Sequence, residues 1–106
     1  MTEVSLSQLE AALAEGAPLI DVREPDEFEQ VRVPEAVLIP CSEFVERCGE
    51  IPEAETVYII CAVGGRSLQV ANYLQARDIN AVSVAGGTTA WMQSGRSVES
   101  GAPATV

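Results

Sequence analysis

Cys61, Ala62, Val63, Gly64, Gly65, Arg66 and Ser67 form the stretch of this chain whose residue types and spacing can do chemistry. The cysteine closes the most β-prone run, residues 57–60, and an amphipathic helix over residues 67–77 follows it. The two glycines between them let the backbone turn inward, where φ > 0 is needed. Successive amide N–H groups can then converge into an anion-binding nest. The helix beginning near Ser67 points its positive end at the same place. Arg66 adds a fixed cation with a forked set of donors. Each of these favours a thiolate over a thiol, so Cys61 is expected to have a depressed pKa and to be a reactive nucleophile. The plainer alternative is a structural strand-end cysteine before an ordinary loop.

What the chain lacks narrows the chemistry. It has no histidine, so a Cys–His or Ser–His dyad and imidazole metal ligation are excluded. Its six cations are all arginine, at Arg23, Arg32, Arg47, Arg66, Arg77 and Arg96, which removes Schiff-base lysines and a lysine-bearing phosphate loop. Sixteen acidic residues set the net charge at −10, which argues against nucleic-acid and anionic-membrane partners. An anionic substrate must then be captured locally, against the field of the whole protein. Cys41, Cys48 and Cys61 contain no Cys-x-x-Cys pair and suit neither a disulfide framework nor a zinc site, so no metal or other cofactor is expected. No secretory signal and no apolar stretch near the roughly 20 residues of a membrane span are visible, and a cytoplasmic protein with reduced thiols is expected.

The elements that must position the cysteine alternate along the chain. Ser5 with Gln8 is a capping-box pattern opening a helix with Leu6, Leu9 and Leu13 on one face, and Gly16 is suited to close it. Residues 19–22 read as a short apolar strand, and Pro25 suits the first position of a helix that follows. Residues 37–39 read as another strand, and residues 42–47 as a helix with Ser42 as N-cap. After the 57–60 strand and the 67–77 helix, with its stripe of Leu68, Ala71 and Leu74, residues 81–84 read as the last strand. Residues 88–93 form a last helix carrying Trp91, expected in the core or a pocket wall. Gly86 and Gly87 are expected to allow a tight turn close to the Cys61 loop. Continuous apolar strands alternating with helices indicate an α/β domain with a mainly parallel sheet. Ligands in such folds bind at the carboxyl ends of strands. The domain is expected over residues 1–98, with a flexible tail over 99–106.

Over roughly residues 4–98 the chain resembles a single-domain rhodanese, a member of the rhodanese-like sulfurtransferase family. The resemblance rests on Leu19, Ile20, Asp21, Val22, Arg23, Glu24, Pro25, Asp26, Glu27 and Phe28; on Val33, Pro34, Glu35 and Ala36; on the Cys61–Ser67 loop; and on Gly86, Gly87, Trp91 and Gly95. It implies a three-layer α/β/α fold with a five-stranded, mainly parallel sheet. It also implies that Cys61 takes a sulfur from thiosulfate or a persulfide donor, carries it as a persulfide, and passes it to a thiol or cyanide acceptor. The persulfide would sit among the N–H groups of Ala62, Val63, Gly64, Gly65, Arg66 and Ser67, with Arg66 steadying the loop and the anionic sulfur. Cys41 and Cys48 read as small buried hydrophobes, the alternative being a relay role in sulfur handover.

Loop length separates two chemistries. Tyrosine-phosphatase-type loops hold one residue more between cysteine and arginine, making a ring wide enough for phosphate; the shorter loop here suits a single sulfur atom. Phosphatase or arsenate reductase activity is thereby disfavoured, and a non-catalytic binding module stands as the other alternative. The segment before Pro34 is Val31-Arg32 where the family usually has Gly-His, so Arg32 is a substrate-binding candidate that keeps a polar group there with a different reach, and Ala62 stands where many thiosulfate-using members carry a cation. Thiosulfate is therefore expected to be no better a donor than a persulfide. Asp21 and Arg23 admit two readings: hydrogen bonding and positive potential at the substrate site, or an ion pair that fixes the strand end. The acidic run Glu24, Asp26, Glu27 and Glu29 reads as a solvated helix face.

Overall fold

The computed structural model describes residues 3–101. Five strands, β1 (Glu3–Val4), β2 (Leu19–Asp21), β3 (Val37–Leu38), β4 (Val57–Ile60) and β5 (Ala81–Val84), form one sheet in the order β1-β5-β4-β2-β3. Every pairing is parallel. Between them run α1 (Leu6–Ala14), α2 (Pro25–Gln30), α3 (Phe44–Arg47) and α4 (Gly65–Gln75), and α5 (Gly87–Gln93) follows β5. The α/β class and the five-stranded parallel sheet expected from the sequence are both present.

Two apolar clusters, one on each face of the sheet, give the three layers. On one face, Val57, Ile59 and Cys61 of β4 and its end pack with Phe44 of α3 and Val70, Ala71 and Leu74 of α4. On the other, Ile60 packs with Leu9 of α1, Val84 of β5 and Trp91 of α5. Side chains alternate across a strand, so β4 feeds both cores. Burial on both faces explains why these strands read as unbroken apolar runs.

Local details follow the sequence closely, with instructive departures. Ser5 caps α1 through the reciprocal pair with Gln8, and Gly16 closes the helix at φ +85°. Ser42 does not cap a helix: a 3₁₀ turn over Cys41–Glu43 comes first, and the Ser42 hydroxyl instead donates to the Glu24 carboxylate at 3.1 Å. Helix α4 begins two residues earlier than its apolar stripe suggests, so Ser67 lies in its first turn and is fully buried. Strand β1 has only two residues and is specified by its partner β5, with Glu3 opposite Ser83 and Val4 opposite Val84.

Beyond α5 the chain returns along α2. Arg32 and Glu99 exchange backbone hydrogen bonds at 2.9 Å, and Gly101 N–H donates to Glu29 O. Of the tail expected over residues 99–106, residues 102–106 lie outside the described residues. Among those described, no helix is long and apolar enough to cross a membrane.

Candidate active site

Cys61 is the first residue past β4, at the carboxyl edge of the sheet and beside its central axis. Its side chain is 1% exposed, turned into the concave side of its own loop. Two groups reach the sulfur. Gly64 N–H donates to Sγ at 3.0 Å, and Ser67 Oγ lies 3.3 Å from it, a contact in which either atom can donate. Gly64 can aim its amide this way because it sits at φ +116°, a left-handed conformation that disfavours any side chain. It is also the N-cap of α4, so the 11-residue helix directs its positive end at the sulfur.

These contacts bear on the thiol's ionisation. Burial pushes the Cys61 pKa up and is the largest single influence. The Ser67 hydroxyl and the N–H groups of Ser67, Gly64 and Val63 together outweigh it, and the net direction is down from 9.0. The depressed thiol expected from residue types thus has a geometric cause.

The loop is held from behind by α5. Thr88 N–H donates to Cys61 O at 2.9 Å and Thr89 N–H to Ala62 O at 3.0 Å. Gly87, at φ +59°, makes this approach possible: a Cβ there would collide with the carbonyl oxygen of Cys61 and lie 2.6 Å from that of Ala62. The close approach expected of the Gly86–Gly87 pair is therefore real, and its object is the backbone of the reactive loop.

Arg66 leaves the loop in the direction of α2. Its guanidinium makes a bidentate pair with Glu27, at 2.8 and 2.9 Å. The Arg66 guanidinium holds the Glu27 carboxyl down to about 2, and Glu27 in turn raises Arg66. Glu27 is the residue that reading the sequence missed. It lies in an acidic run that looks like a solvated face, and its partner is 39 residues away.

The remaining sequence candidates fall in two places. Asp21 and Arg23 are buried together at the end of β2. Both Asp21 oxygens accept from Arg23, the shortest contact being 2.8 Å. The outer nitrogens of Arg23 donate to Glu27 O and to Val31 O at 2.6 Å. The last two contacts tie the strand end to α2 and to the residue that caps it. Arg32 sits beyond α2, donating to Phe28 O and Gly101 O, with its guanidinium 4.8 Å from the centre of the Phe28 ring. Ala62 is half-buried and Val63 exposed on the outer side of the loop. Among the described residues, no group of three His, Cys, Asp or Glu side chains is placed to hold a metal ion.

Comparison with known proteins bears on the family and the fold. The family model "Rhodanese-like domain" matches residues 5–94. The chain is 34% identical over 98 residues to a sulfurtransferase of Allochromatium vinosum, spanning 90% of this chain and 92% of that protein. It is 41% identical over 81 residues to rhodanese-like/PpiC domain-containing protein 12 of Arabidopsis thaliana, spanning 71% of this chain but 27% of that longer protein. The crystal structure of a rhodanese-related protein from Thermoplasma volcanium matches with a TM-score of 0.86 at 27% identity, covering 93% of this chain and 98% of that one.

Proposed function

The chain belongs to the rhodanese-like domain family, and from that premise we propose that it is a sulfurtransferase carrying sulfane sulfur on Cys61. The observation that carries this reading is the convergence of the Gly64 N–H and the Ser67 hydroxyl on a buried cysteine sulfur at the start of α4. That arrangement stabilises negative charge on sulfur without a general base.

The reaction has two displacements. The Cys61 thiolate attacks the outer sulfur of the donor, forming a Cys61 S–S bond while the donor's own S–S bond breaks. The electron pair leaves on sulfite, if thiosulfate is the donor, or on a thiolate, if a persulfide is. An acceptor thiolate or cyanide then attacks the terminal sulfur, taking it as a persulfide or thiocyanate, and the Cys61 thiolate returns with the electron pair of the broken bond. No oxidant or reductant is consumed.

Each loop residue has a part in this scheme. The N–H groups from Ala62 to Ser67 surround the terminal sulfur, and Arg66 contributes positive potential and loop order. Asp21 and Arg23 act on the site by fixing the strand end, and Arg32 by fastening the chain's return along α2. A low-molecular-weight or protein persulfide is the preferred donor over thiosulfate. Ala62 brings no cation, Glu27 offsets part of the Arg66 charge, and the net charge of −10 repels a dianion. Three free cysteines suit a reducing compartment, the cytoplasm.

The test is a thiocyanate-forming assay with cyanide as acceptor. Wild type should turn over with a persulfide donor at least as fast as with thiosulfate, and Cys61→Ser with neither. Equal activity in Cys61→Ser would refute the assignment.

A further inference from the structure

Beneath the reactive loop lies a hydroxyl group outside the mechanism above. Ser83 is on β5, fully buried, in a strand whose four residues are all buried. Its Oγ lies 2.7 Å from Ser67 Oγ. Ser67 Oγ is in turn 3.3 Å from Cys61 Sγ and 3.2 Å from Gly64 O. The three side chains form one buried chain leading from the middle of β5 to the sulfur.

Counting protons gives this chain a direction. Each serine hydroxyl donates one hydrogen. Among the described contacts, Ser83 Oγ has a single partner, Ser67 Oγ. If Ser67 donated to Ser83, the Ser83 hydrogen would be left buried without an acceptor, a cost of about 1–3 kcal/mol. If Ser83 donates instead, its hydrogen is satisfied and the Ser67 hydrogen is released to the loop. There it has two acceptors, Gly64 O and the Cys61 sulfur. With Cys61 as a thiol, Ser67 donates to Gly64 O; with sulfur negatively charged, the hydrogen turns to Sγ. Donation by Ser83 also polarises the Ser67 O–H and strengthens it as a donor.

We infer that Ser83 is a positioning residue for the Cys61 reaction, donating to Ser67 so that the Ser67 hydroxyl is committed to the anionic sulfur of Cys61. The inference rests on Cys61 being the sulfur carrier, but its test does not. Thiolate formation is followed by ultraviolet absorbance against pH in the Cys41→Ser/Cys48→Ser protein, where Cys61 is the one remaining thiol. Ser83→Ala should move the Cys61 midpoint upward by roughly half a pH unit, a threefold loss of thiolate below the midpoint, while Ser83→Thr should restore it. In a Ser67→Ala background, Ser83→Ala should add nothing.

An unchanged midpoint in folded Ser83→Ala would overturn the inference. So would an equal shift in the presence and absence of Ser67, since that would be a general packing effect. Should Ser83→Ala not fold, Ser83→Val, which suits a strand and also lacks the hydroxyl, is read in the same way. Failure of sulfur transfer with the midpoint shift intact would count against the sulfurtransferase reading alone.

Discussion

Glu27 on α2 grips Arg66 on α4 through both carboxylate oxygens, at 2.8 and 2.9 Å. The cation of the Cys61 loop is therefore held from a different element, and that element is itself anchored. Arg23 donates to the carbonyl of Glu27 while pairing with Asp21 at the end of β2. Strand end, helix and loop are connected through two arginines.

Arg66→Ala removes the loop's cation and its tether together. Loading of Cys61 from a donor is expected to slow by about 10²-fold, the scale of a lost preorganised charge stabiliser, with a circular dichroism spectrum like that of wild type. A variant that unfolded would show Arg66 to be chiefly a structural residue.

The ionisation of Cys61 sets a pH profile. Because its pKa is moved below 9.0, the thiolate fraction, and with it the rate of sulfur loading, should rise with pH through a midpoint below that value. Ser67→Ala removes a donor to the anion, so its profile should lie to higher pH. Single-turnover loading across the pH range checks this; a profile centred at or above 9.0 in wild type would contradict the geometry of the loop.

Asp21→Asn tests whether the β2 ion pair serves substrate or structure. Both partners are buried, and an Arg23 left without its carboxylate should cost about 3–5 kcal/mol of stability in urea unfolding. At a temperature where the variant is still folded, loading of Cys61 should change by less than about threefold. A large loss of loading at intact stability would instead make Asp21 a substrate-contacting group.

Gly87→Ala places a methyl group against the carbonyls of Cys61 and Ala62 at positive φ. Neither backbone group can yield without breaking its bond to Thr88 or Thr89. A loss of at least about 2 kcal/mol in stability is expected, accompanied by slower loading, because the loop must shift. Thermal unfolding and a loading assay on the same preparation read both effects.

How far the site could be read from sequence depends on whether the partners are neighbours in the chain. The shape of the Cys61–Ser67 loop was legible because its cysteine, glycines and helix start are contiguous. Strands β2 through β5 were legible as apolar runs, whereas β1 was not, since Glu3 and Val4 acquire strand character only by pairing with β5. Glu27 and Ser83 were invisible for the same reason. An acid in an acidic run and a serine in a strand carry no mark of Arg66 or Ser67, residues 39 and 16 positions away that the fold brings against them. Ser42 shows the converse: its type suggested a helix cap, but a 3₁₀ turn and the nearby Glu24 carboxylate claimed it.

The central claim is that Cys61 carries a sulfur atom, and intact-protein mass spectrometry tests it most directly. Wild type and Cys61→Ser are each treated with thiosulfate or a persulfide donor and weighed before and after cyanide. The account predicts a gain of one sulfur in wild type alone, removed by cyanide and acquired faster from the persulfide. No gain from either donor, on folded protein with a free Cys61 thiol, would contradict it and leave a binding module in place of an enzyme.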